Sequence, residues 1–370
     1  MKSEVKEMFE SAKQRHLSRD LFSFHSIFIY GAGNFGKDVF NALMDIGHVP
    51  TGFIDERAEV LREWRGVSIY SPDDKRLPIQ DRKSCLIIIA IHNRDVELNP
   101  IIAKLKKLNY ANIINPVELY DFLGTKLGDR FWLTSREKYN SYLELISTVY
   151  DLLGDDPSRQ LYLSLLSLRV NGNYEDLPEP DLVNQYFPKD LPQIKSPLRF
   201  VDCGAYDGDT IAKLFDLNSN IDEIVAFEPD PQNFQKLACY CRANWLENVK
   251  IWPCAVSSRT ESLNFSSEGE GGNINSIGSI HIQAGSLDDI IPNFGPNYIK
   301  MDIEGAELDA LLGARNVIAQ NRPRLGICLY HKPAHLWQIP LMIASWNLGY
   351  SYYIRAHGFN DFDVVLYAIP

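Results

Sequence analysis

The sequence predicts an α/β protein with two doubly wound parallel sheets joined by a helical linker. Apolar, strand-like runs alternate with helical patterns in both halves of the chain, which is typical of parallel sheets covered on both faces. A strand, a glycine turn and a helix open each half, at Ile27 and at Phe200. The length of 370 residues also exceeds the usual span of one hydrophobic core.

We divide the chain into three stretches on these patterns. Residues 1–122 hold a polar amphipathic helix and then the first sheet, which we place at about 22–122. Residues 123–196 carry leucines and tyrosines at helical spacing and end in a proline-rich connector, which predicts a helical linker. Residues 197–370 restart the alternation of strands and helices.

Four buried strands are predicted in the C-terminal stretch, at the runs RFVDC, IVAFEPD, YIKMD and LGICLY. After the second run, Asp230 is expected to cap a helix that has Pro231 in its first turn. The final run, SYYIRAHGFNDFDVVLYAIP, predicts a terminal hairpin. A hairpin makes the last strand antiparallel to its partner.

Composition excludes several classes of partner. The net charge of −11 argues against general affinity for nucleic acid or for an anionic membrane. The charged N-terminus does not resemble a secretory signal, and the longest apolar run, Leu86–Ile91, is too short to span a bilayer. The six cysteines show neither a CxxC pair nor metal-finger spacing, which favours reduced thiols in the cytoplasm.

Polar residues follow several of the predicted C-terminal strands. Asp202 precedes a glycine turn, Glu228 ends the next strand, Asp302 ends a third and His331 follows a fourth. Ligands of open α/β sheets bind beyond the carboxyl ends of the strands. Each residue taken alone is equally well explained as a helix cap or a hydrogen-bonded loop residue, but their recurrence in order predicts a ligand site. Glu228 is placed to accept hydrogen bonds from both hydroxyls of a ribose.

The runs VDCGAYDGDT, AFEPDPQNF, CAVSS, SLDDI and IKMDIEGAELDALLGA, in this order, resemble the FkbM family of S-adenosylmethionine-dependent methyltransferases. The resemblance covers roughly residues 198–370. It implies the class I methyltransferase fold, a seven-stranded sheet with an antiparallel last strand. It also implies S-adenosylmethionine as cofactor and, since relatives methylate hydroxyls of sugars, glycolipids and polyketides, O-methylation of a sugar.

Residues of this chain that match the family's motifs are assigned the cofactor-binding roles of those motifs. The resemblance assigns Asp202, Gly204, Ala205, Tyr206 and Gly208 to the methionine end of the cofactor, and Glu228 to its ribose. It assigns Pro229 and Asp230, together with Ala255, Val256 and Ser257, to the borders of the adenine. Asp302 is assigned the position nearest the methyl group. Many relatives carry Asn-like residues where this chain has Tyr206 and Asp207, which leaves the details of cofactor binding open.

A hydroxyl acceptor benefits from a positioned base. The candidates are His331, whose ordinary acidity suits the task, Asp302 and then Glu304. Lys300 is expected to point to the other face of its strand. The same carboxylates and imidazole could hold a divalent ion, but we predict no metal site.

The N-terminal sheet carries a nucleotide-binding pattern. Gly31, Gly33 and Gly36, with Asn34 and Phe35 between them, follow a strand and open a helix, and Asp55 closes the next strand. This is the dinucleotide fingerprint in its proper context, and it predicts binding of NAD or of a nucleotide sugar. The segment also resembles the nucleotide-sugar-binding domains of sugar acetyltransferases. A Rossmann-like scaffold with an empty pocket explains it nearly as well.

Three functional hypotheses follow. The leading one is a methyltransferase acting on a small-molecule or carbohydrate acceptor, with an accessory nucleotide-binding domain. The second is a nicotinamide-dependent oxidoreductase or epimerase using the N-terminal domain, and the third is a non-catalytic S-adenosylmethionine-binding protein. The segment 184–188 either covers the cofactor pocket or packs between domains, and a homodimer through the linker helices is compatible with the sequence.

Overall fold

The computed structural model describes residues 2–14, 23–217, 220–266, 273–274 and 280–370. The chain forms two compact units. Unit 1 comprises Met1–Asp151, Asp156–Leu182 and Ala356–Asp363, and unit 2 comprises Leu152–Asp155, Val183–Arg355 and Val364–Pro370. Unit 1 thus includes a short segment from near the C-terminus.

Unit 1 contains a sheet of six strands among the described residues, in the order β3-β4-β2-β1-β5-β6. Strand β1 is parallel to β2 and β5, β2 to β4, and β5 to β6, while β3 is antiparallel to β4. All residues of β1 and β5 are buried, as expected for strands covered on both faces. The strands are Ile27–Tyr30, Gly52–Ile54, Glu63–Trp64, Val67–Tyr70, Leu86–Ile89 and Asn112–Ile114, as β1 to β6.

Helices accompany these strands and continue through the predicted linker. The sixth begins at Pro116 behind a capping box, in which Asn115 and Glu118 bond to each other's backbone N–H groups. Three helices, the seventh to the ninth, lie between residues 123 and 196. The helices are Lys2–Gln14, Asn34–Asp45, Ala58–Leu61, Ile79–Ser84, Leu98–Lys107, Pro116–Leu127, Arg136–Asn140, Leu143–Leu152 and Asp156–Asn171, as α1 to α9.

Unit 2 is built on a sheet of seven described strands, in the order β16-β17-β15-β14-β7-β8-β9. Strand β7 is parallel to β8 and β14, which places the reversal of strand order, and hence the expected ligand crevice, at the carboxyl end of β7. The last strand, β17, is antiparallel to β15. These strands are Leu198–Cys203, Ile221–Phe227, Val249–Trp252, Tyr298–Met301, Arg324–Cys328, Ser351–Ala356 and Val364–Ile369, as β7, β8, β9 and β14 to β17.

The predicted α/β class and the antiparallel last strand are confirmed. Unit 2 also contains a second, smaller sheet, ordered β10-β13-β11-β12, which was not predicted from the sequence. Its strands are Ala255–Val256, Glu261–Ser266, Asn273–Ile274 and Ile280–Gly285, as β10 to β13. The helices of unit 2 are Asp209–Asp216, Pro231–Ala243, Leu287–Ile290, Glu307–Leu312, Arg315–Asn321 and His335–Ser345, as α10 to α15.

Two further properties bear on the sequence predictions. Among the described residues, no helix has the length and apolar composition needed to cross a membrane. The six cysteines, all within the described residues, are free thiols, and Cys85, Cys203 and Cys328 are buried.

Candidate active site

The glycine turn after β7 lies against the end of β14. Gly204 has φ of 82°, and a Cβ there would lie 2.0 Å from the backbone oxygen of Asp302. Only glycine therefore fits this position. Tyr206 and Gly208 also have positive φ, and Gly208 caps the N-terminus of α10. The turn brings Gly204, Ala205 and Tyr206 to the switch point of the sheet.

Asp202 and Lys300 form an ion pair next to this turn. They are partners across β7 and β14, and Lys300 Nζ lies 2.9 Å from Asp202 Oδ1 and 2.6 Å from the Gly204 carbonyl oxygen, to which it donates. Burial raises the pKa of Asp202, and the Lys300 ammonium opposes this rise. The expectation that Lys300 faces away from the site is wrong, because residues two apart on a strand share a face and Asp302 follows Lys300 by two.

Glu228 connects the first two turns at the carboxyl edge of the sheet. Its Oε2 accepts from the Tyr206 N–H at 2.8 Å, and its Oε1 accepts from the Asp230 N–H at 2.8 Å. Burial raises the pKa of Glu228 to about 7, although the two backbone N–H groups act in the opposite direction. The acid predicted to hold a ribose is thus buried directly after β8.

Asp230 is the N-cap of α11, as predicted, with Pro231 as the first helical residue. Its Oδ1 accepts from the N–H groups of Gln232 at 2.8 Å and Asn233 at 3.0 Å. The other oxygen, Oδ2, is buried and has no hydrogen-bond partner among the described residues. Pro229 stands between Glu228 and Asp230, so these three residues form one short corner.

The predicted adenine-flanking residues lie on the smaller sheet. Ala255 and Val256 form β10, which pairs with β13, and the Ser257 N–H donates to the Gly285 carbonyl at 3.0 Å. A Cβ on Gly313 would lie 2.1 Å from the Ser257 carbonyl oxygen, so α13 ends directly against this segment. All three predicted residues are buried. Ser257 also donates from its hydroxyl to Glu261, so this segment lies beside the smaller sheet and the end of α13.

The three candidate bases meet at the ends of β14 and β15. His331 Nε2 lies 3.2 Å from Asp302 Oδ1 and 3.6 Å from Glu304 Oε2. The His331 side chain is only 1% exposed, whereas the side chains of Asp302 and Glu304 are 22% and 23% exposed. The two carboxylates are therefore the members of this cluster that solvent or an acceptor can reach.

Glu307, which was not among the residues predicted from the sequence, contacts the other ring nitrogen of His331. Its Oε1 lies 2.7 Å from His331 Nδ1 and accepts from the Ile303 N–H at 3.0 Å, and its Oε2 lies 3.2 Å from His335 Nδ1. Burial alone lowers the pKa of His331, but Glu307, aided by Asp302 and Glu304, outweighs burial and raises that pKa well above its ordinary range. His331 therefore carries a proton at neutral pH.

Two tyrosines also bind Asp302. Tyr186 donates to Asp302 Oδ2 at 2.6 Å, and Tyr330 donates to Asp302 Oδ1 at 3.4 Å. Tyr186 belongs to the segment 184–188, which the sequence placed either over the pocket or between domains. Its hydroxyl reaches the candidate site, and Lys300 Nζ lies 5.2 Å from its ring centroid. No group of three or more metal-ligating side chains among the described residues is arranged to hold an ion.

In unit 1, the glycine fingerprint forms the predicted strand, turn and helix. Gly33 caps α2, which begins with Asn34 and Phe35, and a Cβ on Gly36 would lie 1.9 Å from the Gly31 carbonyl oxygen. Asp55 accepts from the Ala32 N–H at 2.8 Å and from Arg57 Nε at 3.0 Å. Nothing in this arrangement singles out NAD or a nucleotide sugar, and ligand binding here stays a prediction.

Comparisons with known proteins agree with this fold. Residues 202–365 match a family model described as the methyltransferase FkbM domain, which confirms the resemblance found in the motifs. A crystal structure of methyltransferase FkbM from Methylobacillus flagellatus KT matches with a TM-score of 0.79 at 22% identity, covering 98% of this chain and 99% of that chain. The two proteins therefore share their fold along nearly their whole length.

Other matches are more distant. Fibrillarin from Aeropyrum pernix, in complex with S-adenosyl-L-methionine, matches with a TM-score of 0.31 at 12% identity, covering 49% of this chain and 70% of that one. A SAM-dependent methyltransferase from Aquifex aeolicus matches with a TM-score of 0.30 at 12% identity, covering 48% and 84%. No curated protein sequence matches significantly.

Proposed function

We propose that this chain, whose residues 202–365 match the methyltransferase FkbM domain, transfers a methyl group from S-adenosylmethionine to a hydroxyl group of a small, carbohydrate-like acceptor. One observation carries the choice of a hydroxyl. Two partly exposed carboxylates, Asp302 and Glu304, follow β14, whose end lies against the glycine turn at the switch point of the sheet. Carboxylates there can accept the proton that a hydroxyl must lose on methylation.

The residues around the turn fit the cofactor. The close backbone approach at Gly204, with Ala205, Tyr206 and Gly208, suits the methionine end above Asp202. Glu228 suits the ribose hydroxyls, and the buried Asp230 Oδ2, which lacks a partner among the described residues, suits a donor such as an adenine amine. When bound, S-adenosylmethionine supplies an electrophilic methyl group on a sulfonium.

The chain's own groups then orient the acceptor and remove its proton. The acceptor hydroxyl donates to Asp302 or Glu304, and the carboxylate takes the proton as the oxygen is methylated. His331, protonated and held by Glu307, keeps the two carboxylates together by offsetting their repulsion. Because its side chain is 1% exposed, we assign His331 a positioning role and give the contact with the acceptor to the carboxylates. Alignment of the acceptor supplies much of the acceleration.

The test is a methyl-transfer assay with labelled S-adenosylmethionine against monosaccharide glycosides that differ in their free hydroxyls. Asp302→Asn and Glu304→Gln remove the proton acceptor while keeping size. We expect one of them to lower kcat by about a hundredfold or more, and we expect at least one variant with lost turnover to bind S-adenosylhomocysteine normally. Asp309→Asn is the matched control, because Asp309 is an exposed acid on α13.

Several results would contradict the proposal. Full turnover in both variants would remove the carboxylates from the chemistry. Methylation of amines with no transfer to any hydroxyl would overturn the acceptor class. If His331→Asn lost turnover while Asp302→Asn and Glu304→Gln kept it, His331 and not a carboxylate would be the base.

A further inference from the structure

A cavity in unit 1 lies outside every site described above. It holds about 40 Å³ of space for water-sized groups, and it is partly open to solvent. Four parts of the chain line it: the start of α5, one face of α9, the segment that follows α9, and the segment 356–361. The glycine fingerprint of unit 1 contributes none of its residues to the lining.

The walls of this cavity are apolar and aromatic. Leu98, Leu161 and Leu165 are buried core residues that face it, and the rings of Tyr174 and Phe359 also line it. Such walls suit a ligand with a compact apolar body. The two rings offer faces on which a cation is attracted.

One residue of the lining, Tyr174, has a hydroxyl without a partner among the described residues. Tyr174 is only 4% exposed, and its hydroxyl makes no hydrogen bond to any described residue. Its backbone carbonyl accepts from Asn99 Nδ2 at 3.0 Å, which fixes the residue beside the cavity. A buried phenol without a partner is unfavourable, so a group entering the cavity that bonds to it gains affinity.

The charge of the lining has one sign. Glu97 and Glu179 are exposed carboxylates at the cavity, and none of the described residues that line it is a lysine, arginine or histidine. Asp361 also lines it, but both of its oxygens are bonded to the buried Arg169. The two free carboxylates repel anions and attract cations.

We propose that this cavity binds an organic ammonium ion with a compact apolar body. The ammonium group lies between the carboxylates of Glu97 and Glu179 and donates to the Tyr174 hydroxyl oxygen. The apolar body packs on the leucines and on the ring of Phe359. This site is separate from the methyl-transfer site, and its existence does not depend on the proposed acceptor.

The test is a calorimetric titration of the full chain with three ligands of one shape and different charge. These are cyclohexylammonium, cyclohexanol and cyclohexanecarboxylate. We expect saturable binding of the amine, binding of the alcohol weaker by about tenfold, and none of the carboxylate, because a charge difference near two carboxylates is worth about 1.4 kcal/mol or more. Equal binding of all three, or binding of none, overturns the proposal.

Variants place the bound amine in this cavity. Glu179→Gln and Glu97→Gln each remove one charge, and Tyr174→Phe removes the phenol oxygen. We expect each to weaken amine binding by about fivefold. Glu175→Gln is the matched control, since Glu175 is an exposed acid on the same segment that does not line the cavity. Amine binding unchanged in all three variants would place the ligand elsewhere and overturn the proposal. Unchanged hydrogen exchange of α9 verifies that unit 1 of each variant is folded.

Discussion

Asp302 depends on neighbours that are distant in the sequence. Its carboxylate is bound by Tyr186 from one side and approached by His331 from the other. The sequence predicted Asp302, Glu304 and His331 together because each follows an apolar strand, and ends of parallel strands meet at one edge. It did not indicate Glu307, because the contact with His331 depends on how α13 packs beside β15. The only local signal is an acid three residues after Glu304.

Glu228 gives a prediction about pH. Burial raises its pKa to about 7, and only the ionised form can accept from both hydroxyls of a ribose. Affinity for S-adenosylhomocysteine should therefore rise as pH increases through about 7 and level off above it. The limiting slope below the pKa is about tenfold per pH unit for one proton. Calorimetric titrations between pH 5.5 and 8.5, in buffers of different ionisation enthalpy, measure it.

Matched variants separate Glu228 from other titrations. Glu228→Gln should bind weakly and lose this pH dependence. Asp222→Asn, an acid on the same strand at 48% exposure, should keep both the affinity and its slope. An affinity of the unsubstituted chain that stays flat across pH 7 would contradict the assignment of Glu228 to the ribose.

At the scale of elements, the continuous apolar strands of the seven-stranded sheet were predictable and the smaller sheet was not. β7, β14 and β15 are runs of four to six mostly buried residues, and each was predicted from its apolar run. The smaller sheet contains two strands of only two residues, β10 and β12. Runs that short carry no periodicity, so their pairing is decided by contacts between strands.

The turn after β7 gives a prediction at this scale. Gly204→Ala forces a side chain into positive φ and places its Cβ 2.0 Å from the Asp302 backbone oxygen. We expect a loss of about 2–4 kcal/mol in the free energy of unfolding and weaker binding of S-adenosylhomocysteine. Gly33→Ala is the control, since Gly33 has φ of −77° and open space around its Cβ position. Urea unfolding measures the free energy of unfolding of both variants. Equal stability of the two variants would contradict the predicted clash.

At the scale of the whole molecule, the sequence predicted domains as successive stretches of chain. The compact units do not follow that order, because Ala356–Asp363 belongs with unit 1 while β17 after it belongs with unit 2. Within unit 1, this segment supplies the Asn360 carbonyl that accepts from Trp132 Nε1 at 2.9 Å. It also supplies Asp361, the ion-pair partner of Arg169. A pattern of residues along the sequence cannot predict that this segment packs in unit 1, since the packing depends on pairings between residues about 190 positions apart.

The ion pair of Asp361 with Arg169 therefore leads to a prediction of how unit 1 responds to a substitution near the C-terminus. Both side chains of the pair are 0% exposed, with Arg169 Nε 2.5 Å from Asp361 Oδ2. Asp361→Asn leaves a buried cation without its counter-charge, at a cost of about 3–5 kcal/mol. In hydrogen exchange of the full chain, amides of α9 and β1 that exchange through global opening of unit 1 should exchange about a hundredfold faster or more. Asp309→Asn should leave these rates unchanged. If the amides of α9 stay protected in Asp361→Asn, the segment Ala356–Asp363 contributes little to the stability of unit 1. A fragment ending at Leu182 would then be as protected from exchange as the full chain.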